Sequence, residues 1–131
     1  MKITLKAVHH IQVTYPIEVE SAMLFFYSKV LGLTEIKRPS VMKNDSGVWY
    51  ALKDIELHVS TEKNANNQTS RRHICFQVDN LNAFAEHLKA HGVEIIPDRR
   101  PIPGCDRFFV RDPGGNRIEI AFIQDSLITA Q

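Results

Sequence analysis

Cysteine, net charge and long apolar runs are all scarce in this sequence, and each scarcity argues against a class of protein. The two cysteines, Cys75 and Cys105, are too few for a disulfide framework, so we expect free thiols and a cytoplasmic location. A formal net charge of +1 gives no electrostatic reason to expect nucleic acid or an acidic membrane surface as a partner. No apolar run reaches the roughly 18 residues of a transmembrane helix, and the first residues lack the apolar core of a secretory signal.

The composition is that of an ordinary folded protein. The chain has 131 residues, of which 44% are hydrophobic and 24% are charged. This length is typical of one domain, and the hydrophobic fraction is large enough to form a core. We therefore expect a single domain over residues 1–131.

The first half of the chain has the pattern of one strand, one helix and three more strands. Polar and apolar residues alternate over 8–15, which predicts a strand with one apolar face. An amphipathic helix is predicted over about 18–31, and it ends at Gly32. Further short strands are predicted in three places, at 35–37, 48–52 and 55–60.

The second half repeats this order after a polar segment. An alternating strand is predicted over 73–78 and a helix over about 81–91. Strands then follow at 93–96, 107–111 and 117–123, the last two joined by a turn over 112–116. The sequence thus predicts an α+β fold of two tandem βαβββ modules. The modules span about 1–60 and 73–131, with a linker over about 61–72.

Residues with metal-ligand side chains recur at the same interval as the modules. His10 and His73 stand 63 positions apart, and so do Glu56 and Glu119. Each of them lies on the polar face of a predicted strand. If the two sheets curl toward one another, two imidazoles and two carboxylates converge. Such a set suits zinc, nickel, iron or manganese and leaves room for substrate oxygens.

Four segments of the sequence resemble the vicinal oxygen chelate superfamily of glyoxalases, bleomycin resistance proteins and dioxygenases. They are HHIQV at 9–13, FFYSKVLGL at 25–33, HICFQV at 73–78 and RDPGGNRIEI at 111–120. The resemblance covers nearly the whole chain. It implies two βαβββ modules that form an incomplete barrel around a metal cleft, and it implies a homodimer. It places His10, His73 and Glu119 at the three usual ligand positions, and Glu56 at the fourth.

Three further residues share the faces that carry the predicted ligands. His58 lies two positions from Glu56, where it can replace Glu56 as a ligand, act as an acid or base, or line the cleft. For Gln12 and Cys75 we expect a role in lining the cleft rather than in catalysis. No feature of the sequence favours a lowered pKa for the Cys75 thiol.

The resemblance implies small-molecule chemistry with a divalent metal ion as Lewis acid. With glutamate at both strand positions, the site is similar to glyoxalase I, a lyase in which a glutamate at the metal moves a proton between adjacent carbons. Glu56 and Glu119 are the candidates for that role. A second hypothesis is an extradiol-type dioxygenase with ferrous iron at His10, His73 and Glu119, and His58 as acid or base. A third is a metal-free drug-binding resistance protein, and a fourth is a thiol transferase that acts on an antibiotic.

Basic and aromatic residues of the sequence supply candidates for substrate contacts. Three arginines can bind an anionic substrate or lie on the solvated surface, namely Arg38, Arg107 and Arg117. Four aromatic residues are expected in the core, with a substrate wall as the second possible role: Trp49, Tyr50, Phe108 and Phe109. The substrate, the native metal and the use of a thiol such as glutathione stay open at this point.

Overall fold

The computed structural model describes residues 1–124, and it divides into two compact units, of which the first is Met1–Ala65 and the second begins at Asn66. Each unit has one four-stranded mixed sheet and one main helix, in the order strand, helix and three strands. This confirms the predicted α+β class with two tandem βαβββ modules. The last part of the predicted second module, residues 125–131, lies outside the described residues.

The sheet of the first unit has the strand order β1-β4-β3-β2, in which β1 is parallel to β4 and the other neighbours are antiparallel. Its elements are β1 (His10–Tyr15), α1 (Glu20–Phe25), β2 (Thr34–Ile36), β3 (Val48–Leu52) and β4 (Ile55–Thr61). A 3-10 turn, Ile17–Val19, precedes α1, and a second one, Ser40–Met42, lies between β2 and β3.

The helical segment of the first unit differs from the uniform helix predicted over about 18–31. After α1 it continues as a π turn, Phe26–Val30, and it ends before Gly32, which has a φ of +73°. Within this π turn the adjacent residues Phe26 and Tyr27 are both buried, at 4% and 0% exposure. Apolar spacing in a sequence does not distinguish such a turn from a regular helix.

Two tyrosines attach this helical segment to the sheet. The Tyr15 hydroxyl on β1 donates a hydrogen bond of 2.5 Å to Oε1 of Glu20, and the Tyr50 hydroxyl on β3 lies 2.8 Å from Oγ of Ser28. Both tyrosines are fully buried. Because the apolar face of the sheet is covered in this way, the opposite face of β1, with His10 and Gln12, remains exposed.

The sheet of the second unit repeats the arrangement, with the order β5-β8-β7-β6 and β5 parallel to β8. Its elements are β5 (His73–Gln77), α2 (Leu81–Ala90), β6 (Ile96–Pro97), β7 (Cys105–Arg111) and β8 (Arg117–Ile123). Asn80 caps α2, since its side chain accepts a hydrogen bond of 2.9 Å from the backbone N–H of Ala83. None of the helices within residues 1–124 is long and apolar enough to cross a membrane.

The turn between β7 and β8 fixes the starts of the two strands that carry His73 and Glu119. Asp112 accepts a hydrogen bond of 2.8 Å from the backbone N–H of Asn116, which closes the predicted turn. Nη1 of Arg111 donates to the backbone carbonyls of three residues, at 2.9–3.2 Å, namely Asn67, Ser70 and Gly115. The segment that leads into β5 is thereby attached to the turn that leads into β8.

Candidate functional site

Two residues of β1 stand directly beside candidate residues of β4. His10 is the Cα partner of Glu56, and Gln12 is the Cα partner of His58. Because alternate residues of a strand point to one face, the side chains of all four belong to the polar face of this sheet. The prediction that they share a face therefore agrees with the observed register.

The corresponding strands of the second unit pair in a different register. Glu119 is the Cα partner of Cys75, and His73 is the Cα partner of Arg117. The equal 63-residue intervals therefore do not correspond to equal pairing, because the second unit is shifted by two residues. A shift of two residues keeps every side chain on its face, so His73 and Glu119 still share the polar face.

In the first unit, His58 forms the centre of a stacked group that we call the His58 cluster, comprising His10, Trp49, Glu56 and His58. The His58 ring lies parallel to the Trp49 ring at 3.8 Å between centroids, and the His10 ring stacks on it at 4.2 Å. Nε2 of His58 lies 2.9 Å from Oε1 of Glu56. The imidazole is thus held on both faces and bonded at one edge.

Glu56 is the more accessible partner of this hydrogen bond. Its side chain is 30% exposed, whereas that of His58 is 8% exposed. The hydrogen bond with His58 lowers the pKa of Glu56, and the charges of His9 and His10 act in the same direction. Glu56 is therefore an ionised, accessible carboxylate at neutral pH.

In the second unit, Glu119 forms the centre of a group that we call the Glu119 cluster, comprising His73, Asp98, Arg107 and Glu119. Oε1 of Glu119 lies 3.0 Å from Nε2 of His73, and Oε2 accepts a hydrogen bond of 3.3 Å from Nη1 of Arg107. Glu119 is only 5% exposed. A carboxylate this deeply buried is costly unless it is paired, and here each oxygen has a partner.

The tautomer of His73 follows from its other ring nitrogen. Nδ1 lies 3.1 Å from the carbonyl oxygen of Arg71, which can only accept, so Nδ1 carries the proton. In a neutral imidazole, Nε2 then presents a lone pair to the carboxylate of Glu119. Such a contact is attractive only if Nε2 is also protonated or if both atoms bind a cation. Metal-bound histidines commonly donate their second N–H to a backbone carbonyl in this way.

Arg107 is itself fixed by groups that the residue pattern did not predict. Its Nε donates to Oδ2 of Asp98 at 3.0 Å, and its Nη2 donates to the carbonyl oxygen of Arg100 at 3.0 Å. The hydrogen bond from Arg107, together with one from the backbone N–H of Arg100, lowers the pKa of Asp98. Asp98 lies outside every predicted strand, so no periodicity in the sequence could place it beside Arg107.

The other candidates for substrate contacts have distinct surroundings. The guanidinium of Arg38 is bonded to the backbone carbonyls of Asp45 and Ser46, whereas that of Arg117 lies 4.1 Å from the ring centroid of Phe109. Cys75 is exposed on the polar face, but desolvation by the surrounding protein atoms and the neighbouring Glu119 carboxylate raise the pKa of its thiol to about 12. Cys75 is therefore a neutral side chain of the polar face and not a poised nucleophile.

The donor atoms of these clusters are of the types that divalent cations bind, and they are arranged in pairs. Within residues 1–124, no group of three or more His, Cys, Asp or Glu side chains is close enough together to hold a metal ion. Each cluster instead brings one imidazole nitrogen and one carboxylate oxygen to 2.9 or 3.0 Å. Metal–ligand bonds of about 2.0–2.2 Å place two ligands of one ion roughly 3 Å apart. The pair of His73 and Glu119 fits best, because its tautomer leaves the lone pair of Nε2 available.

Comparison of the sequence with protein families gives one match, which covers residues 8–120. The matching family is described as the glyoxalase/bleomycin resistance protein/dioxygenase superfamily. Comparison with curated proteins finds no match. Among solved structures, a glyoxalase family protein from Bacillus anthracis is 33% identical and has a TM-score of 0.84. The alignment covers 95% of this chain and 100% of that one.

Two more distant structures are similar in fold. A fosfomycin resistance protein, FosX, from Listeria monocytogenes has a TM-score of 0.80 at 15% identity, and the alignment covers 98% of this chain and 100% of that one. That structure is a complex with Mn(II) and 1S,2S-dihydroxypropylphosphonic acid. A glyoxalase/dioxygenase from Nostoc punctiforme has a TM-score of 0.75 at 17% identity, with 95% and 99% coverage.

Proposed function

The chain belongs to the glyoxalase/bleomycin resistance protein/dioxygenase superfamily, and we propose that it is a metal-dependent lyase or isomerase of the glyoxalase type. In this proposal His10, Glu56, His73 and Glu119 are ligands of a divalent cation, nickel, zinc, iron or manganese. The contact between Nε2 of His73 and Oε1 of Glu119 carries the proposal, because the lone pair and the carboxylate face one another at 3.0 Å. The bound cation would act as a Lewis acid toward substrate oxygens.

The surroundings of the two glutamates support different roles for them. Glu119 is buried and bonded at both oxygens, so it can hold a fixed position but has little freedom to move a proton. Glu56 has one hydrogen bond from His58 and is 30% exposed. We assign proton transfer between adjacent substrate carbons to Glu56, since an ionised and accessible carboxylate is what a general base requires.

His58 acts on this assignment as a positioning residue. Its ring is fixed between Trp49 and His10, and its Nε2 donates to Oε1 of Glu56. A single hydrogen bond leaves the second oxygen of Glu56 available for the substrate proton. In this proposal His58 is neither a metal ligand nor the acid or base.

The likeness in fold to the manganese complex of FosX supports a divalent metal and a small substrate with adjacent oxygens. The proposal includes a cytoplasmic homodimer, in keeping with the family resemblance. Light scattering during size-exclusion chromatography measures the assembly directly, and a mass of one chain, 15.0 kDa, would exclude the dimer.

An extradiol-type dioxygenase is the second candidate, and the contact between Glu56 and His58 favours it. If this hydrogen bond keeps Glu56 away from the metal, the ligands reduce to His10, His73 and Glu119. Two histidines and one carboxylate form the facial set of non-haem ferrous oxygenases, with open positions for oxygen and substrate. Oxygen uptake with catechols then replaces isomerisation as the expected activity.

Elemental analysis of protein purified without chelators tests the metal site. We expect about one divalent ion per chain in the wild type, and loss of that ion in His73→Ala and Glu119→Ala. His87→Ala and Glu86→Ala, which change exposed residues of α2, serve as matched controls and should retain the metal. A wild type that takes up none of the four metals on reconstitution would overturn both enzyme proposals and favour a drug-binding protein.

Activity assays then separate the two enzyme candidates. We expect the metal-loaded wild type to isomerise the hemithioacetal of a thiol and a 2-oxoaldehyde, and Glu56→Gln to lose this activity. Oxygen consumption with catechols, without hemithioacetal isomerisation, would reverse the order of the candidates.

A further inference from the structure

A pocket of about 350 Å³ lies in the first unit, between the end of β2, the start of β3 and the loop that joins them. Trp49 belongs both to the wall of this pocket and to the His58 cluster, since its ring stacks on His58. The pocket is otherwise separate from the predicted ligands. None of the candidate ligand residues lines it.

Positive charge dominates the lining of this pocket. Lys37, Arg38 and Lys43 contribute three cations, against the one carboxylate of Glu35. Neither lysine forms an ion pair with another residue in the described range 1–124. Two ammonium groups without a carboxylate partner at one concave site raise the local potential for an anion.

The loop that closes the pocket is firmly attached to the sheet. The guanidinium of Arg38 donates to the carbonyl oxygens of Asp45, at 2.7 Å, and of Ser46, at 3.0 Å. The Ser46 hydroxyl lies 2.7 Å from that of Thr61 on β4. Gly47, with a φ of +94°, lies so close to β4 that an added Cβ would be 2.0 Å from the carbonyl oxygen of Val59. The loop backbone beside the pocket is therefore held in place, which reduces the entropic cost of ordering the loop when an anion binds.

We propose that this pocket binds the oxyanion group of a small organic molecule, a phosphate, phosphonate or carboxylate, through Lys37 and Lys43. Arg38 acts by holding the loop, and Trp49 supplies an apolar wall for the carbon atoms next to the anion. Ammonium groups bind phosphate and carboxylate oxygens as point charges, so this lining suits an anion of variable shape.

The same pocket predicts the class of substrate for the proposed enzyme. Trp49 lines the pocket and stacks on His58, which is bonded to Glu56, so the pocket is a neighbour of the proposed reaction site. This second step rests on the proposed function, whereas anion binding by the pocket does not. We therefore expect the substrate of the proposed enzyme to be an anion and not a neutral molecule.

Intrinsic fluorescence tests the proposal directly, because Trp49 is the only tryptophan of the chain. Chelator-treated wild type is titrated with inorganic phosphate and with methylphosphonate at constant ionic strength. Dimethyl methylphosphonate, which has nearly the same shape but no charge, is the matched neutral probe. We expect saturable changes with the two anions and none with the neutral ester.

The variant Lys37→Gln/Lys43→Gln should raise the dissociation constant for methylphosphonate by about tenfold or more, since it removes both free cations. Lys63→Gln, an exposed lysine elsewhere in the first unit, is the matched control and should leave the constant unchanged. No saturable response in the wild type, an unchanged constant in the double variant, or an equal effect of Lys63→Gln would each overturn the proposal. The titration uses chelator-treated protein without metal. A failure of the proposed metal site therefore does not affect this measurement of anion binding.

Discussion

Arg107 donates a hydrogen bond of 3.3 Å to Oε2 of Glu119, the carboxylate oxygen that His73 does not contact. The carboxylate is thereby held at both oxygens, with Oε1 directed to His73. Residues that bond to metal ligands in this way fix the ligand orientation and increase its affinity for the ion. Arg107 is thus a positioning residue in the proposed metal site.

Replacing Arg107 should weaken metal binding without removing a ligand. For Arg107→Ala we expect the affinity for the divalent ion to fall about tenfold to a hundredfold, because Glu119 loses its second contact. The metal affinity of Arg107→Lys should lie between those of the wild type and Arg107→Ala. An ammonium group cannot bond Asp98 and Glu119 with the geometry of a guanidinium. Competition with a chromophoric chelator measures the affinity. Arg99→Ala, at an exposed position, is the control, and an affinity for Arg107→Ala equal to that of the control would refute this role.

Replacing His58 should separate positioning from metal binding. In His58→Ala we expect about one metal ion per chain to remain, while kcat falls about tenfold to a hundredfold as Glu56 loses its hydrogen bond. Metal content and the split between kcat and KM are the measurements. Loss of the ion from His58→Ala would identify His58 as the fourth ligand in place of Glu56. Trp49→Phe preserves an aromatic face beside His58, so it should reduce kcat less than His58→Ala does.

The thiol of Cys75 should react slowly in the folded protein. With a pKa of about 12, its thiolate fraction at pH 8 is roughly a thousandfold below that of an ordinary cysteine. Alkylation by iodoacetamide, followed by mass spectrometry, should therefore accelerate with pH up to at least pH 10. The same reaction in guanidinium chloride gives the rate of the unfolded chain. Equal rates for Cys75 in the folded and unfolded chain would contradict the prediction.

Removing the neighbouring carboxylate should partly reverse this protection. In Glu119→Gln the charge that helps to raise the pKa of Cys75 is lost, while desolvation by the surrounding protein atoms, the larger cause, remains. We expect the pH profile of Cys75 alkylation to move to lower pH but not to that of the unfolded chain. The exposed change Glu86→Gln should leave the profile in place.

Substitutions at two glycines of the first unit distinguish two causes of lost stability. One is an unfavourable backbone φ, and the other is a steric clash of the added Cβ with a neighbouring strand. Gly32 and Gly47 both have positive φ, but an added Cβ meets nothing within 4 Å at Gly32 and lies 2.0 Å from the Val59 carbonyl oxygen at Gly47. We expect Gly32→Ala to cost about 1–2 kcal/mol of unfolding free energy and Gly47→Ala more than about 3 kcal/mol. Urea unfolding followed by the fluorescence of Trp49 measures both. Similar losses of unfolding free energy in the two variants would show that a small shift of the chain removes the clash between residue 47 and β4.

Residue patterns alone predicted the elements that depend on local chemistry. Alternation in 8–15 indicated which face of β1 would be buried, and strands at 48–52 and 117–123 have the predicted bounds. Gly32 ends the first helical segment with the positive φ expected of a cap. These features are set by short-range sterics and by burial of one face, which a sequence records directly.

Features that depend on long-range packing could not be predicted in the same way. The equal 63-residue intervals do not correspond to equal strand pairing, since Glu56 pairs with His10 whereas Glu119 pairs with Cys75 and not with His73. Strand register is set by packing and turn geometry in three dimensions, and equal intervals in sequence do not encode it. The contact between Asp98 and Arg107 joins an irregular segment to β7, and the residue pattern of neither segment predicts it.

The parallel pairing of β1 with β4, and of β5 with β8, makes the candidate residues of each unit depend on its first and last strands. His10 cannot lie beside Glu56 until nearly the whole unit has been synthesised. Contacts between residues so far apart in sequence require the closure of a long loop, which costs conformational entropy. They therefore form slowly during folding. The neighbouring positions of His10 and Glu56, and of His73 and Glu119, therefore depend on the pairing of the first and last strands of each unit.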